Sequence, residues 1–409
     1  MAEPDGGRWP IASRAVRLLK WFIVHGMRPQ VSQGSNRPRI DAAEILEGIR
    51  EWVLIETPSH DGPAVNRLVD LVERQMAALG TVIERTPGRE GFGDILTART
   101  PWGGDGPGIL VLSHLDTVHP IGTLNAMPFE RKGDAVHGPG IYDMKGGAYL
   151  AYYALRHLTL DGRTTPLPVT FLYVPEEEVG SPTSRAAIER EARRAKYVLV
   201  TEPAREGGRI VLARKGAAHY DLKVVGRAAH AGMRHQDGRN AVAEMARQVL
   251  AIEAMTDYER GITCSVGTIS GGTGVNVVPA ECLASVDCRV PDMATAAAMQ
   301  ARFMALRPRD PDCRLSVSGG LNRPPYETDA GIAALFQHAK GLAAEIGFDL
   351  QGVTSGGGSD GNFTAALGVP TLDGLGVDGR GAHAADEQLY YSSLEPRTRL
   401  LLRLLETLG

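Results

Sequence analysis

Gly108-Ile-Leu-Val-Leu-Ser-His-Leu-Asp116 decides the fold. It follows a turn-forming Gly-Gly-Asp-Gly-Pro stretch, residues 103–107, and its apolar run is continuous but too short for a helix. A run of that kind reads as a strand buried on both faces, as in a parallel sheet covered by helices. Val169-Thr-Phe-Leu-Tyr-Val174 and Tyr197-Val-Leu-Val200 read the same way. Helical periodicity lies between these strands, over residues 147–157 and 184–195, and the alternation predicts an α/β layered domain with a mostly parallel sheet. Upstream, Ile45, Ile49, Val53 and Leu54 recur at helical spacing, as do the apolar positions of 65–79, so the packed chain begins near Asp41. From about Lys215 the texture changes to alternating strands, 219–225 and 283–289, around a long helix over 240–254. That α+β unit ends near Asn322-Arg-Pro-Pro325, after which a helix over 330–346 and a Gly-rich segment resume the first texture. Residues 215–325 thus read as a domain inserted between two parts of a catalytic domain, 41–214 and 326–409.

Bulk properties narrow the partners. A chain of 409 residues exceeds one ordinary domain. With 43% hydrophobic and 22% charged residues it has the composition of a globular protein. A formal net charge of -4 gives no reason to expect nucleic acid or an anionic membrane, and a small substrate is the simpler partner. The four cysteines, Cys264, Cys282, Cys288 and Cys313, lack the C-x-x-C spacing of a metal or redox motif and read as buried small hydrophobes, which favours a reducing compartment. Residues 1–40 carry one apolar patch, Leu18 to Val24, that is interrupted by Lys20 and too short to span a bilayer. They read as a mobile leader or a surface helix, and the protein as cytoplasmic.

Five short constellations sit at predicted strand ends or in Gly-rich loops. His114 and Asp116 lie two apart at the carboxyl end of the first strand and share a face, so the imidazole can bind a metal while the carboxylate holds its other ring nitrogen. A hydrogen-bonded strand-end pair fits equally. Asp143 stands in Gly138-Pro-Gly-Ile-Tyr-Asp-Met-Lys-Gly-Gly147, either as a carboxylate approached by cations or as a helix cap. Glu176, Glu177 and Glu178 crowd together after the second strand, which calls for cations or for a solvated loop. Glu202 follows the third strand, and His383 lies in Gly381-Ala-His-Ala-Ala-Asp-Glu387. Imidazoles and carboxylates without thiolates suit zinc, manganese or cobalt in an open site.

In this order the motifs resemble the aminoacylase, succinyl-diaminopimelate desuccinylase and carboxypeptidase family of co-catalytic metallohydrolases, and most of all its glutamate carboxypeptidase branch. The similarity runs from about Asp41 onward and includes Pro128-Phe129, Gly356-Gly-Gly-Ser-Asp360 and Gly368-Val-Pro370. It implies two zinc ions per subunit, with manganese or cobalt as substitutes: His114 and Glu202 on one, Glu178 and His383 on the other, and Asp143 bridging. It also implies Glu177 as general base, Asp116 orienting His114, and a cis peptide after Asp143. His230, by residue type alone an ordinary surface histidine, resembles the family histidine that reaches the neighbouring subunit's site, which makes the insert a dimerisation lid and the protein a homodimer. Arg209, Asn276, Arg289, Arg323 and Gly357 occupy positions similar to those that receive the substrate, and guanidinium forks suit carboxylates. The activity so implied is hydrolysis of an amide bond next to a free carboxylate in a small peptide, with deacylation of an N-acyl amino acid as the alternative. Glu176 departs from the aspartate common in the family.

Overall fold

The computed structural model describes residues 39–409, of which residues 40–409 form one compact unit. The reading of residues 1–38 as a leader or surface helix lies outside the described residues. Helix α1, Ala42–Val53, opens on Asp41, whose carboxylate accepts from Ala43 N, and α2, Gly62–Ala78, opens in the same way on Asp61. These caps satisfy amide groups that a helix start leaves without partners.

The main sheet contains β1 (Val82–Thr86), β2 (Ile95–Arg99), β3 (Gly108–His114), β4 (Val169–Val174), β5 (Ala195–Val200) and, late in the chain, Thr371–Leu372. Its order is β1-β2-β4-β3-β5, closed at one edge by Thr371–Leu372. β3 runs parallel to both β4 and β5, and Thr371–Leu372 runs parallel to β5. β1 and β2 add antiparallel pairings at the other edge, so the sheet is mixed rather than uniformly parallel.

Burial follows the pleat. Ile109 and Val111 enter one apolar cluster with Ile45, Ile49 and Trp52 of α1, while Leu110 and Leu112 enter another with Ile188 and Ala192 of the helix Arg185–Ala192. A strand covered on both faces needs apolar side chains at every position, hence the unbroken run that begins at Gly108. Each fully buried Leu, Ile or Val there contributes about 1.5–3 kcal/mol.

A second sheet is antiparallel: β6 (Gly216–Val225), β7 (Thr263–Gly271), β8 (Glu281–Val290) and β9 (Arg314–Arg323), in the order β7-β8-β6-β9. Cys282, Ala284, Val286 and Cys288 alternate inward along β8 onto a separate core with Met245 of the helix Ala241–Glu253 and Met299 of the helix Met293–Met304. All four cysteines are buried there as free thiols.

Candidate metal centre

Where parallel strands end, their following loops converge. His114 closes β3, Glu177 and Glu178 form a single turn, Glu177–Val179, after β4, and Glu202 follows β5. Asp143 comes from the turn Ile141–Lys145, which leads into helix α3, Gly146–Leu160, and its peptide bond to Met144 is cis. Gly147 lets that helix start lie against the end of β5: a Cβ on it would fall 2.0 Å from Thr201 O. His383 reaches in from a loop near the end of the chain, with φ 64°, a left-handed conformation uncommon outside glycine.

The structure brings all five proposed ligands together. His114 Nε2 lies 3.2 Å from Asp143 Oδ1 and 3.7 Å from Glu202 Oε1. His383 Nε2 lies 3.4 Å from Asp143 Oδ2 and 2.9 Å from Glu178 Oε2. Asp143 therefore offers one oxygen to each histidine, and each histidine has a glutamate of its own. Ligand atoms of His114, Asp143 and Glu178 fall within 4.8 Å of one another, as do those of His114, Glu177 and Glu202. Glu178 Oε1 is buried without a hydrogen-bond partner among the described residues. Two imidazoles, a cluster of carboxylates and an orphaned carboxylate oxygen fit a divalent metal bound by nitrogen and oxygen.

The electrostatics point the same way. Burial pushes Glu177 up to about 7 against the pull of Arg323, and burial with Asp143 beside it pushes Glu178 up to about 8. Glu202 is raised well above the usual carboxylate range by burial and then by Asp143 and Glu177. His383 is held up to about 11 by its contacts with Asp143 and Glu178. Burial works against ionising Asp143, but His114 and His383 outweigh it and hold the carboxyl low. Without a cation, protons balance this crowd of acids; a bound cation replaces them.

Asp116 does more than face His114. Its Oδ1 is 3.4 Å from His114 Nδ1, farther than its own backbone oxygen at 3.0 Å, and the fully buried carboxylate accepts from Ser59 Oγ, Glu177 N and Glu178 N. One side chain thus holds the β3 end against the turn bearing both glutamates. Glu176 turns away from the cluster: Oε1 accepts from Thr183 N, Thr183 Oγ1 and Ser184 N, just before the helix Arg185–Ala192. Its departure from aspartate leaves the cluster undisturbed.

The predicted substrate residues are only partly gathered. Arg323, at the end of β9, is buried in the site, with Nη2 2.7 Å from Glu177 Oε1 and Nη1 2.6 Å from Asp360 Oδ1. Its guanidinium is engaged by protein carboxylates where a free fork was expected. Arg289 makes two 2.8 Å contacts to Asp287, and Gly358 lies between Arg289 and Arg323: a Cβ there would fall 2.6 Å from Arg323 Cδ and 3.8 Å from Arg289 Nη1. Gly357 O accepts from the buried Arg214, which is paired with Asp373. Arg209 sits apart in an exposed turn, donating to Glu206 O. His230 and Asn276 are exposed and adjacent, Ala231 N donating to Asn276 O, and neither is brought to the five ligands. His230 Nδ1 accepts from Gly232 N and Met233 N.

Several residues of the site had no role assigned from the sequence. Asp360 and Glu387 stood inside quoted Gly-rich motifs, where an invariably awkward charge in a tight turn was the available signal. Ser59, Arg214 and Asp373 carried none. Gly357-Gly-Ser-Asp-Gly361 also spells the Gly-x-Ser-x-Gly of serine hydrolases. Ser359 is nevertheless fully buried, donates to Asp373 and accepts from Gly361 N, and has no histidine partner among the described residues.

Comparisons with known proteins show which family this chain resembles. Carboxypeptidase G2 of a Pseudomonas species is 29% identical over 372 residues, covering 89% of each chain. A succinyl-diaminopimelate desuccinylase of Ectopseudomonas mendocina is 28% identical over 367 residues, 85% of this chain and 94% of that one. In fold, the chain is similar to an aminopeptidase PepT of Bacillus cereus, with TM-score 0.70 and 23% identity over 90% of this chain and 98% of the other. An M20 family metallo-carboxypeptidase of Sulfolobus solfataricus gives TM-score 0.70 at 17% identity, with 90% and 99% covered. The model of peptidase family M20/M25/M40 matches residues 110–407, a stretch that holds every clustered ligand from His114 to His383. The chain belongs to that family and is a metallopeptidase-type hydrolase.

Proposed function

We propose that this hydrolase cleaves the amide bond next to a free carboxylate in a small peptide, as a glutamate carboxypeptidase-like enzyme with two zinc ions, for which manganese or cobalt substitutes. The observation that carries the reading is Asp143, whose two oxygens face two histidines that each have a separate glutamate. His114 and Glu202 would hold one ion, Glu178 and His383 the other, with Asp143 between them. When bound, such ions lower the pKa of water and polarise the scissile carbonyl. Glu177 would take a proton from water and return it to the leaving nitrogen, and its carboxyl, pushed up to about 7 by burial, suits both transfers. Arg323 holds the Glu177 carboxylate in place at 2.7 Å. Arg289, beside Gly358, forms the side of the site that receives the substrate carboxylate.

Residues 215–325 form a lid between catalytic parts 41–214 and 326–409 in this reading. Their own sheet and core support it, and the exposed pair His230 and Asn276 suits delivery to a neighbouring subunit's site in a homodimer. Buried, unpaired cysteines favour the cytoplasm, and among the described residues no helix is long and apolar enough to cross a membrane. The desuccinylase similarity supports a second reading, deacylation of an N-acyl amino acid with the same ions. The test is hydrolysis of dipeptides and N-acyl amino acids by zinc- and manganese-loaded protein, with a chelated control. Preference for a terminal glutamate supports the carboxypeptidase reading, and activity that survives complete metal removal overturns both. Arg289→Ala separates them further: a carboxypeptidase reading the side-chain carboxylate loses acyl-glutamate hydrolysis far more than acyl-leucine hydrolysis.

A further inference from the structure

We infer that Glu387 is a positioning residue that clamps the Asp143 turn to the His383 loop and so sets the spacing of the second metal site, an inference that rests on the metal-centre reading above. The fully buried Glu387 carboxylate accepts four hydrogen bonds. Oε1 takes Tyr142 N at 2.8 Å and Asp143 N at 2.9 Å, and Oε2 takes Gly140 N at 2.8 Å and His119 Nε2 at 2.7 Å.

Three of those donors are the backbone of the turn that delivers Asp143. Those amides stand at the start of the turn, where no preceding helical turn supplies carbonyl partners. Glu387 also ends the loop that carries His383. The loop is closed at its base by Gly379–Arg380 pairing with the strand Gln388–Tyr390, and by Ala384 N on Gly381 O. One carboxylate therefore fixes both segments whose side chains meet across 3.4 Å, Asp143 Oδ2 and His383 Nε2. His119, five residues beyond His114, donates to Oε2 beside Gly140 N and ties the end of the β3 region to the same point.

Glutamine is the same size but puts an NH2 where an oxygen receives backbone N–H groups, so Glu387→Gln turns accepted bonds into opposed donors. Zinc titration of metal-free protein by calorimetry, with the absorption of bound cobalt as a second readout, tests the clamp. Wild-type protein is expected to bind two ions. Glu387→Gln is expected to weaken the ion on the His383 side by about 10–100-fold, leave the His114 ion far less affected, and change the cobalt spectrum. A variant that binds both ions as tightly as wild type overturns the inference. Should Glu387→Gln not fold, His119→Ala decides the matter, since it removes only the outer support: weaker binding of one ion, restored by His119→Gln, supports the clamp, and unchanged binding of both overturns it. A wild-type protein that binds no metal pair instead defeats the metal-centre reading itself, so the two failures are distinct.

Discussion

At the residue scale, three glutamates and an aspartate, all largely buried, meet the buried His114 and the half-exposed His383. Glu177 differs from its neighbours because Arg323 holds its carboxylate from the protein side, while Asp116 holds the backbone N–H groups of both Glu177 and Glu178. Glu177→Gln keeps that shape and removes the proton acceptor, so kcat should fall roughly 10²–10⁴-fold while bound zinc stays at the wild-type amount; steady-state kinetics beside metal analysis checks this. Asp143→Asn should behave in the opposite order. An amide cannot serve both sides with negative oxygens, so metal content falls first and activity follows; a variant that retains full metal would show that Asp143 does not bridge.

At the scale of elements, the strand Ile210–Arg214 is tied to the end of the main sheet by a pair hidden from water. Arg214 Nε lies 2.7 Å from Asp373 Oδ2, both side chains fully buried, and Nη1 reaches the carbonyls of Gly357 and Gly358. The Gly-rich loop beside Arg289 and Arg323 is thereby shaped from beneath. Arg214→Met leaves Asp373 buried without its partner and should cost about 3–5 kcal/mol of stability in denaturant unfolding. Arg214→Met with Asp373→Leu removes both charges and should recover much of that loss while the Gly-rich loop loosens, seen as a raised KM. Full loss in the double variant would show that the carbonyl contacts, rather than the charges, hold this corner.

At the scale of the molecule, the three glutamates and two histidines of the cluster are raised, while Asp143 is held low. Glu177, Glu178 and Glu202 have folded pKa values above their unfolded ones, so the stability they contribute is present below about 4.5 and lost as pH rises toward about 7 and 8. His383, raised from 6.5 to about 11, loses its contribution over that higher span, and His114 shifts the same way. Metal-free protein should melt at lower temperature as pH rises from 5 to 8, and added zinc should raise Tm more at pH 8 than at pH 5.5, because ligands must shed protons to bind it. A zinc effect independent of pH would contradict the ligand set. If His230 serves the partner's site, Glu177→Gln and His230→Ala homodimers are each inactive, yet subunit exchange makes a hybrid with one complete site and about half the wild-type activity per dimer. No recovery on mixing would place His230 outside the chemistry.

The alternation of apolar runs and helical spacing determined, from sequence alone, that residues near 108–113, 169–174 and 197–200 are central strands, because a strand buried on both faces is mostly apolar. It also placed Glu177, Glu178 and Glu202 at strand ends, where parallel strands deliver their loops. The antiparallel edge, β1 and β2, was not legible, since its strands are short and β1 is exposed along one face. Nor was Arg323's attachment to Glu177, Asp116's grip on the turn after β4, or the clamp at Glu387. These depend on contacts between segments separated by tens to hundreds of residues, and no local pattern records which distant backbone amide a carboxylate will meet. Local periodicity sets what each segment becomes; only the tertiary packing decides which charges face one another.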